Sequence, residues 1–128
     1  MKPHIFPFTI AFADTDAVGI AYHARYIEIA ERARMNFARN ATPTDSGFVI
    51  KDLSIKYIKP LFLGDDFVVE SLITKLGGAS MTVEQKFVKN NETLAILNIT
   101  AVYIDSEKKP KRFPDELLKL LETIKISG

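Results

Sequence analysis

Apolar residues recur with a helical period in one long segment of the first third of the chain. Between about Ala24 and Arg39 they stand at intervals of three and four residues: Tyr26, Ile29, Ala30, Ala33 and Phe37. Positions with this spacing share one face of an α-helix. At a rise of ~1.5 Å per residue, such a helix is roughly 24 Å long. It is the longest helix that the pattern predicts.

Shorter segments contain apolar side chains typical of strands. One strand is predicted before the helix, at Phe6–Phe12, and four follow it: around Leu53–Tyr57, at Phe67–Lys75, around Met81–Phe87 and, as a central strand, at Thr93–Ile104. Asn90-Asn91 is expected to form a tight hairpin turn, because asparagine tolerates a positive φ. Pro114 favours the first turn of a last helix over Asp115–Ile124.

The order of elements is strand, long helix, four strands and short helix. Short turns between consecutive strands favour antiparallel pairing. The chain of 128 residues has no segment with the composition of a linker, and its length suits one domain. The pattern therefore predicts a single α+β domain over residues 1–128, in which an antiparallel sheet of about five strands packs on one long helix.

Composition removes several kinds of site and partner. The chain has no cysteine, which excludes a thiolate nucleophile and a Cys-ligated metal or cluster. Its two histidines, His4 and His23, are too few for a three-His metal site, so we expect no metal. With 17 basic and 16 acidic side chains the formal charge is +1, which does not suit a nucleic-acid-binding protein. We expect no membrane span and no signal peptide, hence a cytoplasmic protein, because no apolar run approaches ~20 residues.

Six residues able to take part in chemistry lie within ten positions just before the long helix: Asp14, Thr15, Asp16, Gly19, Tyr22 and His23. The first turn of a helix leaves N–H groups unpaired and carries the positive end of the helix dipole, so an oxyanion is stabilised there. A neighbouring carboxylate would serve as a base or a nucleophile. The same residue types cap helices and form turns, and spacing alone favours that simpler interpretation.

The loop and the helix together carry a resemblance to a known family. Phe12–Tyr26, continued by Glu31–Arg34, is similar to the signature of the 4-hydroxybenzoyl-CoA thioesterase-like acyl-CoA thioesterases, including the Tol-Pal-associated type. Stretches within Tyr57–Asp65 and Lys109–Pro114 resemble later parts of the same family in the same order, so the similarity covers nearly the whole chain. It implies the hotdog fold, a sheet wrapped around one long central helix, which agrees with the order found from periodicity.

The resemblance implies a role for four residues. Asp16 matches the catalytic carboxylate, and His23 matches the residue that opens the helix and donates its backbone N–H to the thioester carbonyl. In some members this His side chain also lies in the site. Gly19 matches the motif glycine, and Tyr22 matches an often aromatic position at the site wall. Asp16 would either attack the thioester to form a mixed anhydride or activate a water, and the residues do not separate these routes.

The sequence also predicts roles for two further carboxylates and one loop. Glu31 resembles the helix carboxylate that another branch of hotdog thioesterases uses as a base, but an ion pair with Arg34 or Arg32 is the favoured interpretation. Asp14 is expected to stabilise the loop through capping or turn hydrogen bonds. Ala41–Gly47 matches no part of the family pattern and is expected to form part of a pocket rim.

Basic side chains are the candidates for binding the phosphates of coenzyme A. Four form a run after the last strand and two precede Pro60: Lys108, Lys109, Lys111 and Arg112, and Lys56 and Lys59. Lysine and arginine suit such anions, although a solvated turn is the alternative for the run. Coenzyme A is part of the substrate, so no separate cofactor is expected. The resemblance also implies a homodimer or homotetramer with the site at the subunit interface.

Two functions stay open. The first is an enzyme that hydrolyses an acyl-CoA thioester to a free acid and CoA. The second is a non-catalytic module that binds acyl-CoA or an acyl carrier, or acts as a scaffold. An α/β-hydrolase mechanism is disfavoured, because the chain has no Gly-x-Ser-x-Gly motif. The sequence leaves open whether the acyl group is aromatic, short or long.

Overall fold

The computed structural model of the chain describes residues 2–126. Five strands form one sheet: β1 (His4–Thr9), β2 (Gly47–Tyr57), β3 (Asp66–Leu76), β4 (Ser80–Lys89) and β5 (Glu92–Ile104). Two helices accompany the sheet: α1 (His23–Ala38) and α2 (Asp115–Thr123). The element order confirms the α+β prediction, and α1 begins and ends one residue before the predicted helix. Within residues 2–126, no helix is long and apolar enough to cross a membrane.

All neighbouring strands are antiparallel, in the order β1-β3-β4-β5-β2. β2 and β3 follow one another in the chain but do not pair, because β2 lies at the edge beyond β5, with Tyr57 opposite Ala95. β5 is an interior strand, next to the central β4. At the β4–β5 turn, Asn90 and Asn91 have φ values of 51° and 63°, which confirms the predicted hairpin.

Two strands differ from their predicted bounds by more than two residues at one end. β1 ends at Thr9, because the following residues form a 3-10 turn in which the Asp14 carboxylate accepts the N–H of Ala11 at 2.9 Å. β2 begins at Gly47, well before the predicted segment. Its first half lacks an alternation of apolar and polar residues, and only its pairing with β5 defines it as a strand.

One hydrophobic core joins α1 to one face of the sheet. The apolar residues of the predicted helix face are all buried: Tyr26, Ile29, Ala30, Ala33 and Phe37. Ala30 and Ala33 have no exposed surface, and their small side chains let the helix approach the sheet closely. Inward-facing residues of the three inner strands meet this face: Val69, Ile73, Val83, Phe87, Leu97 and Ile99. Each large apolar side chain buried in this way contributes about 1.5–3 kcal/mol relative to exposure.

β2 is an edge strand whose helix-facing side is only partly covered. Ile50, Leu53 and Tyr57 lie opposite buried residues of β5, yet 40%, 39% and 44% of their surfaces are exposed. Among residues 2–126, β2 pairs along one edge only. An apolar strip beside an unpaired strand edge is therefore open on this side of the protein.

Candidate active site

The loop before α1 is a small hairpin closed by a tight turn. The N–H of Asp16 bonds to the carbonyl of Ile20 at 2.9 Å, and the N–H of Gly19 bonds to the carbonyl of Asp16 at 3.1 Å. Gly19 has a φ of 81°, which glycine adopts without steric cost. An antiparallel bridge between Thr15 and Ala21 completes the hairpin. Asp16 is thereby held opposite Ile20, and Ile20 lies three residues before the start of α1.

The Asp16 carboxylate is exposed and half engaged. Its Oδ1 accepts the N–H of Val18 at 2.9 Å, which orients the side chain relative to the loop. In the described part of the chain, no donor is hydrogen-bonded to Oδ2. One oxygen is thus held in place while the other is available to attack a carbon or accept a proton. This geometry suits the role expected of Asp16, which stays a prediction.

Asp14, two residues earlier, is buried and fully engaged. Its carboxylate accepts the N–H of Ala11 at 2.9 Å and lies 3.3 Å from the Arg25 guanidinium. Its carbonyl accepts the N–H of Tyr22 at 2.8 Å. Asp14 therefore ties the loop to the first turn of α1, as the expected capping and turn bonds require.

α1 begins with two main-chain donors that are open. Tyr22 caps the helix without a side-chain hydrogen bond, and its carbonyl accepts the N–H of Arg25 at 2.8 Å. The N–H groups of His23 and Ala24 have no acceptor among residues 2–126. His23 follows Ile20, the residue opposite Asp16, by three residues, which corresponds to about 10 Å of extended chain. Open donors at the positive end of a helix dipole favour a developing oxyanion.

Two tyrosines hold this end of α1 against the segment after β2. The hydroxyl of Tyr57 donates to the carbonyl of His23 at 2.7 Å, and the hydroxyl of Tyr26 accepts the N–H of Leu61 at 3.1 Å. The two rings meet edge to face, with centroids 5.1 Å apart. Burial raises the pKa of both phenols, so they stay protonated at neutral pH. Sequence reasoning assigned no role to Tyr57, whose only signal was its place in the second stretch of resemblance.

The rings of Tyr22 and His23 form an exposed wall beside the open donors. Their centroids lie 4.4 Å apart. Further exposed apolar side chains belong to the loop or to the segment bonded to it: Phe12, Val18, Phe62 and Leu63. Exposed apolar groups around a carboxylate form a surface that an acyl group or a second protein chain would cover.

Two of the candidate phosphate-binding lysines lie at this end of the sheet. Lys56 is exposed near the end of β2, and the N–H of Lys59 bonds to the carbonyl of Leu94 at 3.0 Å. The Lys59 ammonium pairs with Glu92. Both lysines therefore share an end of the molecule with the Asp16 loop, and their role toward a phosphate stays a prediction.

The basic run Lys108–Arg112 lies at the opposite end of the sheet. β5 begins beside Lys59 and ends at Ile104, which forms a bridge with Pro110 in the run. A strand of 13 residues spans roughly 40 Å. Within one chain, the run and Asp16 therefore do not form one site. Lys108, Lys109, Lys111 and Arg112 stay candidates for phosphate binding only across two copies.

A cavity of about 430 Å³ lies beside the C-terminal half of α1. The start of β2 forms one wall, and the expected rim segment lines its mouth with Thr42, Pro43, Thr44, Ser46 and Gly47. Glu31 and Arg34 also line it. The ion pair expected for Glu31 is absent among residues 2–126, because Arg32 pairs with Glu28 one turn earlier, at 3.3 Å. Sequence reasoning expected this rim but missed Arg34 as a lining residue, since the burial of Arg34 depends on strands distant in sequence.

Comparisons with known proteins point to one family. Residues 10–121 match the family model of the thioesterase-like superfamily. The acyl-CoA thioesterase YbgC of Haemophilus influenzae is 34% identical over 121 residues, which cover 88% of this chain and 89% of that protein. A 1,4-dihydroxy-2-naphthoyl-CoA hydrolase of Nostoc punctiforme is 27% identical over 124 residues, covering 90% and 84%.

Solved structures agree with the fold. The structure described as a probable thioesterase from Bartonella henselae has a TM-score of 0.80 at 29% identity, over 88% of this chain and 99% of that one. The PA5185 protein of Pseudomonas aeruginosa has a TM-score of 0.91 over 99% and 94%, at 16% identity, which shows the fold alone. The sheet, the long helix and the family match together show that the chain has the hotdog fold and belongs to the thioesterase-like superfamily.

Proposed function

We propose that this protein is a cytoplasmic acyl-CoA thioesterase that hydrolyses an acyl-CoA thioester to a free acid and CoA. One observation carries the proposal: Asp16, an exposed carboxylate with an unengaged oxygen, is held in the hairpin that leads directly into the open N–H groups of His23 and Ala24. The relatives support it, since YbgC of Haemophilus influenzae is named an acyl-CoA thioesterase and the Nostoc protein a hydrolase of an aromatic acyl-CoA.

The residues account for each part of the reaction. The thioester carbonyl accepts the N–H of His23, which stabilises the oxyanion that forms as the carbon becomes tetrahedral. Asp16 either takes a proton from an attacking water or attacks the carbon itself to form a mixed anhydride that water then cleaves. In both routes the carbon–sulfur bond breaks, the sulfur leaves as the thiol of CoA, and one water is consumed per acid released.

An isotope experiment tests for attack by Asp16. With enzyme in excess over acyl-CoA in H₂¹⁸O, attack by Asp16 followed by hydrolysis at its own carbonyl leaves ¹⁸O in the Asp16 carboxylate. Label found in Asp16 therefore establishes attack by Asp16, whereas label in the released acid alone arises both from direct attack by water and from hydrolysis of the anhydride at the acyl carbonyl. Mass spectrometry of the peptide that contains Asp16 reads the difference.

A thiol-release screen with one matched pair of variants tests the function itself. We expect wild-type protein to release thiol from at least one aryl, short-chain or long-chain acyl-CoA. Asp16→Asn, which keeps size and hydrogen bonding to Val18, should lower kcat about 10²–10⁴-fold. Glu122→Gln, which neutralises an exposed carboxylate on α2, is the control and should leave kcat unchanged. Full activity in Asp16→Asn would show that the site is assigned wrongly.

The non-catalytic alternative makes the opposite prediction. A binding module or scaffold would bind CoA esters saturably and release no thiol from any member of the panel. The free oxygen of Asp16 argues against it, because a binding site for an anionic ligand gains nothing from an exposed carboxylate.

The open edge of β2 supports a homodimer as the working unit. Two copies related by a twofold axis would pair their β2 strands antiparallel and cover the apolar strip of Ile50 and Leu53. This pairing places the start of the second copy's β2 beside Tyr57 at the end of the first. The second copy's basic run then comes to the Asp16 end, where it joins Lys56 and Lys59 around the phosphates of CoA. A homotetramer would be formed from two such pairs.

Introducing a lysine on each of the two edge strands tests the dimer. We expect wild-type protein to sediment as a dimer or larger and Leu53→Lys as a monomer. Ile5→Lys introduces the same charge on β1, at the other edge, and should keep the wild-type state. A wild-type monomer at tens of micromolar would contradict the arrangement.

Truncated substrates test the phosphate contacts. Lys109→Glu should raise KM for acyl-CoA and leave KM unchanged for the matching N-acetylcysteamine thioester, which lacks all phosphates. An equal rise for both thioesters would remove the basic run from the proposed site.

A further inference from the structure

Arg34 is a buried cation without a carboxylate partner. Only 9% of its surface is exposed, and no carboxylate of residues 2–126 lies within ion-pair distance of its guanidinium. The nearest acid along the helix is the exposed Glu31, one turn earlier. Burial lowers the pKa of Arg34, and the charge of Glu31 opposes that change. A buried charge without a partner is costly, so an anion that reached it would be bound strongly.

A buried network holds the guanidinium on one side. Nη1 of Arg34 donates to Oε1 of Gln85 at 2.8 Å. The amide nitrogen of Gln85 donates to the carbonyl of Ala30 at 2.9 Å and to Oγ of Ser71 at 3.0 Å. These bonds orient the Gln85 oxygen toward Arg34, which holds one nitrogen of the guanidinium in place. The other N–H groups of Arg34 have no acceptor among residues 2–126, and the residue lines the cavity beside α1.

The rest of the cavity has the character of a pocket for a small amphipathic group. Its walls are apolar: Met35, Phe48, Ile50 and Met81. Two opposite charges, Glu31 and Arg39, belong to exposed residues at its surface and offset each other. A guanidinium has only donors, so the group that it binds must be an acceptor. A carboxylate matches its fork with two hydrogen bonds and supplies the missing charge.

The position of the cavity links it to the proposed reaction. It lies where β2 begins, and the proposed twofold axis brings the start of one β2 beside the Asp16 end of the other. We propose that this cavity receives the far end of the acyl group and that Arg34 binds a carboxylate there, so that the preferred substrates are acyl-CoA thioesters of dicarboxylic acids. This inference rests on the proposed thioesterase activity.

Matched substrates test the specificity. Adipoyl-CoA and hexanoyl-CoA have equal chain length and differ only in the terminal carboxylate. We expect wild-type protein to have the higher kcat/KM for adipoyl-CoA. Arg34→Met keeps the apolar stem and should lower kcat/KM for adipoyl-CoA about tenfold or more, with a change of less than about threefold for hexanoyl-CoA. Arg32→Met removes the same charge from the exposed face of α1 and should change neither value.

Three results would overturn the inference. One is a wild-type preference for hexanoyl-CoA, and another is an equal loss for both substrates in Arg34→Met, which a purely structural role predicts. The third is a preference for 6-hydroxyhexanoyl-CoA over adipoyl-CoA, since a neutral oxygen would then be the recognised group. Because Arg34→Met removes a buried bond, Arg34→Lys is measured beside it. Lysine keeps the charge without the fork and should retain part of the preference.

A direct binding measurement separates this inference from the proposed activity. Isothermal titration with adipate should show binding to wild-type protein and a loss of about tenfold or more in Arg34→Met. If no acyl-CoA releases thiol but adipate binding depends on Arg34, the thioesterase proposal fails and the carboxylate site stands. If thiol is released and neither adipate binding nor selectivity depends on Arg34, the cavity inference fails alone.

Discussion

The two ends of α1 present opposite ways of building a binding site. At the N-terminal end, the donors are main-chain N–H groups at an exposed helix start, which follows directly on the hairpin that holds Asp16. Along the C-terminal half, the donor is the Arg34 side chain, buried and oriented by Gln85. Backbone donors require only that a helix begins there. A buried guanidinium requires partners from distant strands, so it exists in only one tertiary arrangement.

The loop before α1 also contains two groups of the same kind with different surroundings. Asp14 and Asp16 are two residues apart, and the hairpin turns one inward and the other outward. Both carboxylate oxygens of Asp14 contact donors within the protein, whereas Asp16 has one oxygen without a donor among residues 2–126. A side chain whose acceptors are all engaged is suited to positioning, and one with an open acceptor is suited to chemistry.

Removing a single main-chain donor tests the N-terminal end most severely. His23→Pro deletes the N–H expected to stabilise the oxyanion and should lower kcat about 10²–10³-fold. Proline suits the first helical position, and Tyr22, with φ −63° and ψ 134°, already has the conformation that a following proline demands. The melting temperature should therefore stay near the wild-type value.

The matched control keeps the donor and removes the ring. His23→Ala should retain kcat within about tenfold if the backbone N–H is the larger contribution. Activity that survives in His23→Pro and is lost in His23→Ala would assign the role to the imidazole instead.

Breaking the network at the other end of α1 should cost stability. Gln85→Leu has nearly the same size but leaves the Arg34 guanidinium without its acceptor, so we expect a loss of about 2–4 kcal/mol in the free energy of unfolding by urea. Thr82→Val, on the opposite face of β4, is the control and should cost less than about 1 kcal/mol. If Gln85→Leu lowers the free energy of unfolding as little as Thr82→Val does, contacts other than Gln85 hold Arg34.

Asp14→Ala should combine a moderate loss of stability with a loss of activity. It removes the acceptor for the Ala11 N–H and the ion pair with Arg25, which we expect to be worth about 1–2 kcal/mol by thermal unfolding. Asp14→Asn keeps an acceptor oxygen and should recover part of both. Asp16→Asn, in contrast, should lose activity without stability. If Asp14→Ala and Asp16→Asn change stability and activity in the same way, the division of roles between the two aspartates is wrong.

The smallest expected effect concerns the turn that supports the Asp16 loop. Burial raises the pKa of Asp65, but hydrogen bonds from Lys89 and from the Phe62 N–H outweigh it and hold that pKa below its ordinary value. The stabilisation is therefore present above the unfolded-state pKa near 4 and is lost as pH falls through the lower folded-state pKa.

Unfolding measured against pH tests this turn. Wild-type protein should lose stability more steeply than Asp65→Asn as pH falls from about 5 to 2.5, with a difference below about 1 kcal/mol because the pair is partly solvated. Lys89→Met removes the partner cation and should likewise make the loss of stability with falling pH less steep. An unchanged slope in both variants would show that the pair contributes nothing.

The elements predicted most accurately depend on local spacing. The face of α1 from Tyr26 to Phe37 was found within one residue, because a repeat of 3.6 continues through four turns. The turn at Asn90 and Asn91 followed from the backbone preference of the residues themselves. The strand β2 was found only in its second half, where apolar and polar residues alternate. Its first half pairs with β5 about fifty residues later, and such pairing leaves no mark on the local pattern.

The sites divide in the same way. The loop that holds Asp16 and the helix start at His23 lie within ten residues, so sequence alone brought them together. The basic run Lys108–Arg112 is compact in sequence but lies a strand length away from Asp16, since β5 carries the chain across the sheet. Arg34 looked like one of several polar positions on the helix, and its burial follows from Gln85, 51 residues later.

By itself, the sequence determined the α+β class, the long helix with its buried face, and the loop with its carboxylate, because each depends on contacts between residues close in the chain. Only the tertiary structure decided which aspartate of the loop is exposed, which strands lie at the edges of the sheet and which arginine is buried. Those outcomes depend on strand order and on packing between segments many residues apart, and the free energy of burying a charge or leaving an edge unpaired is defined only once those segments have met.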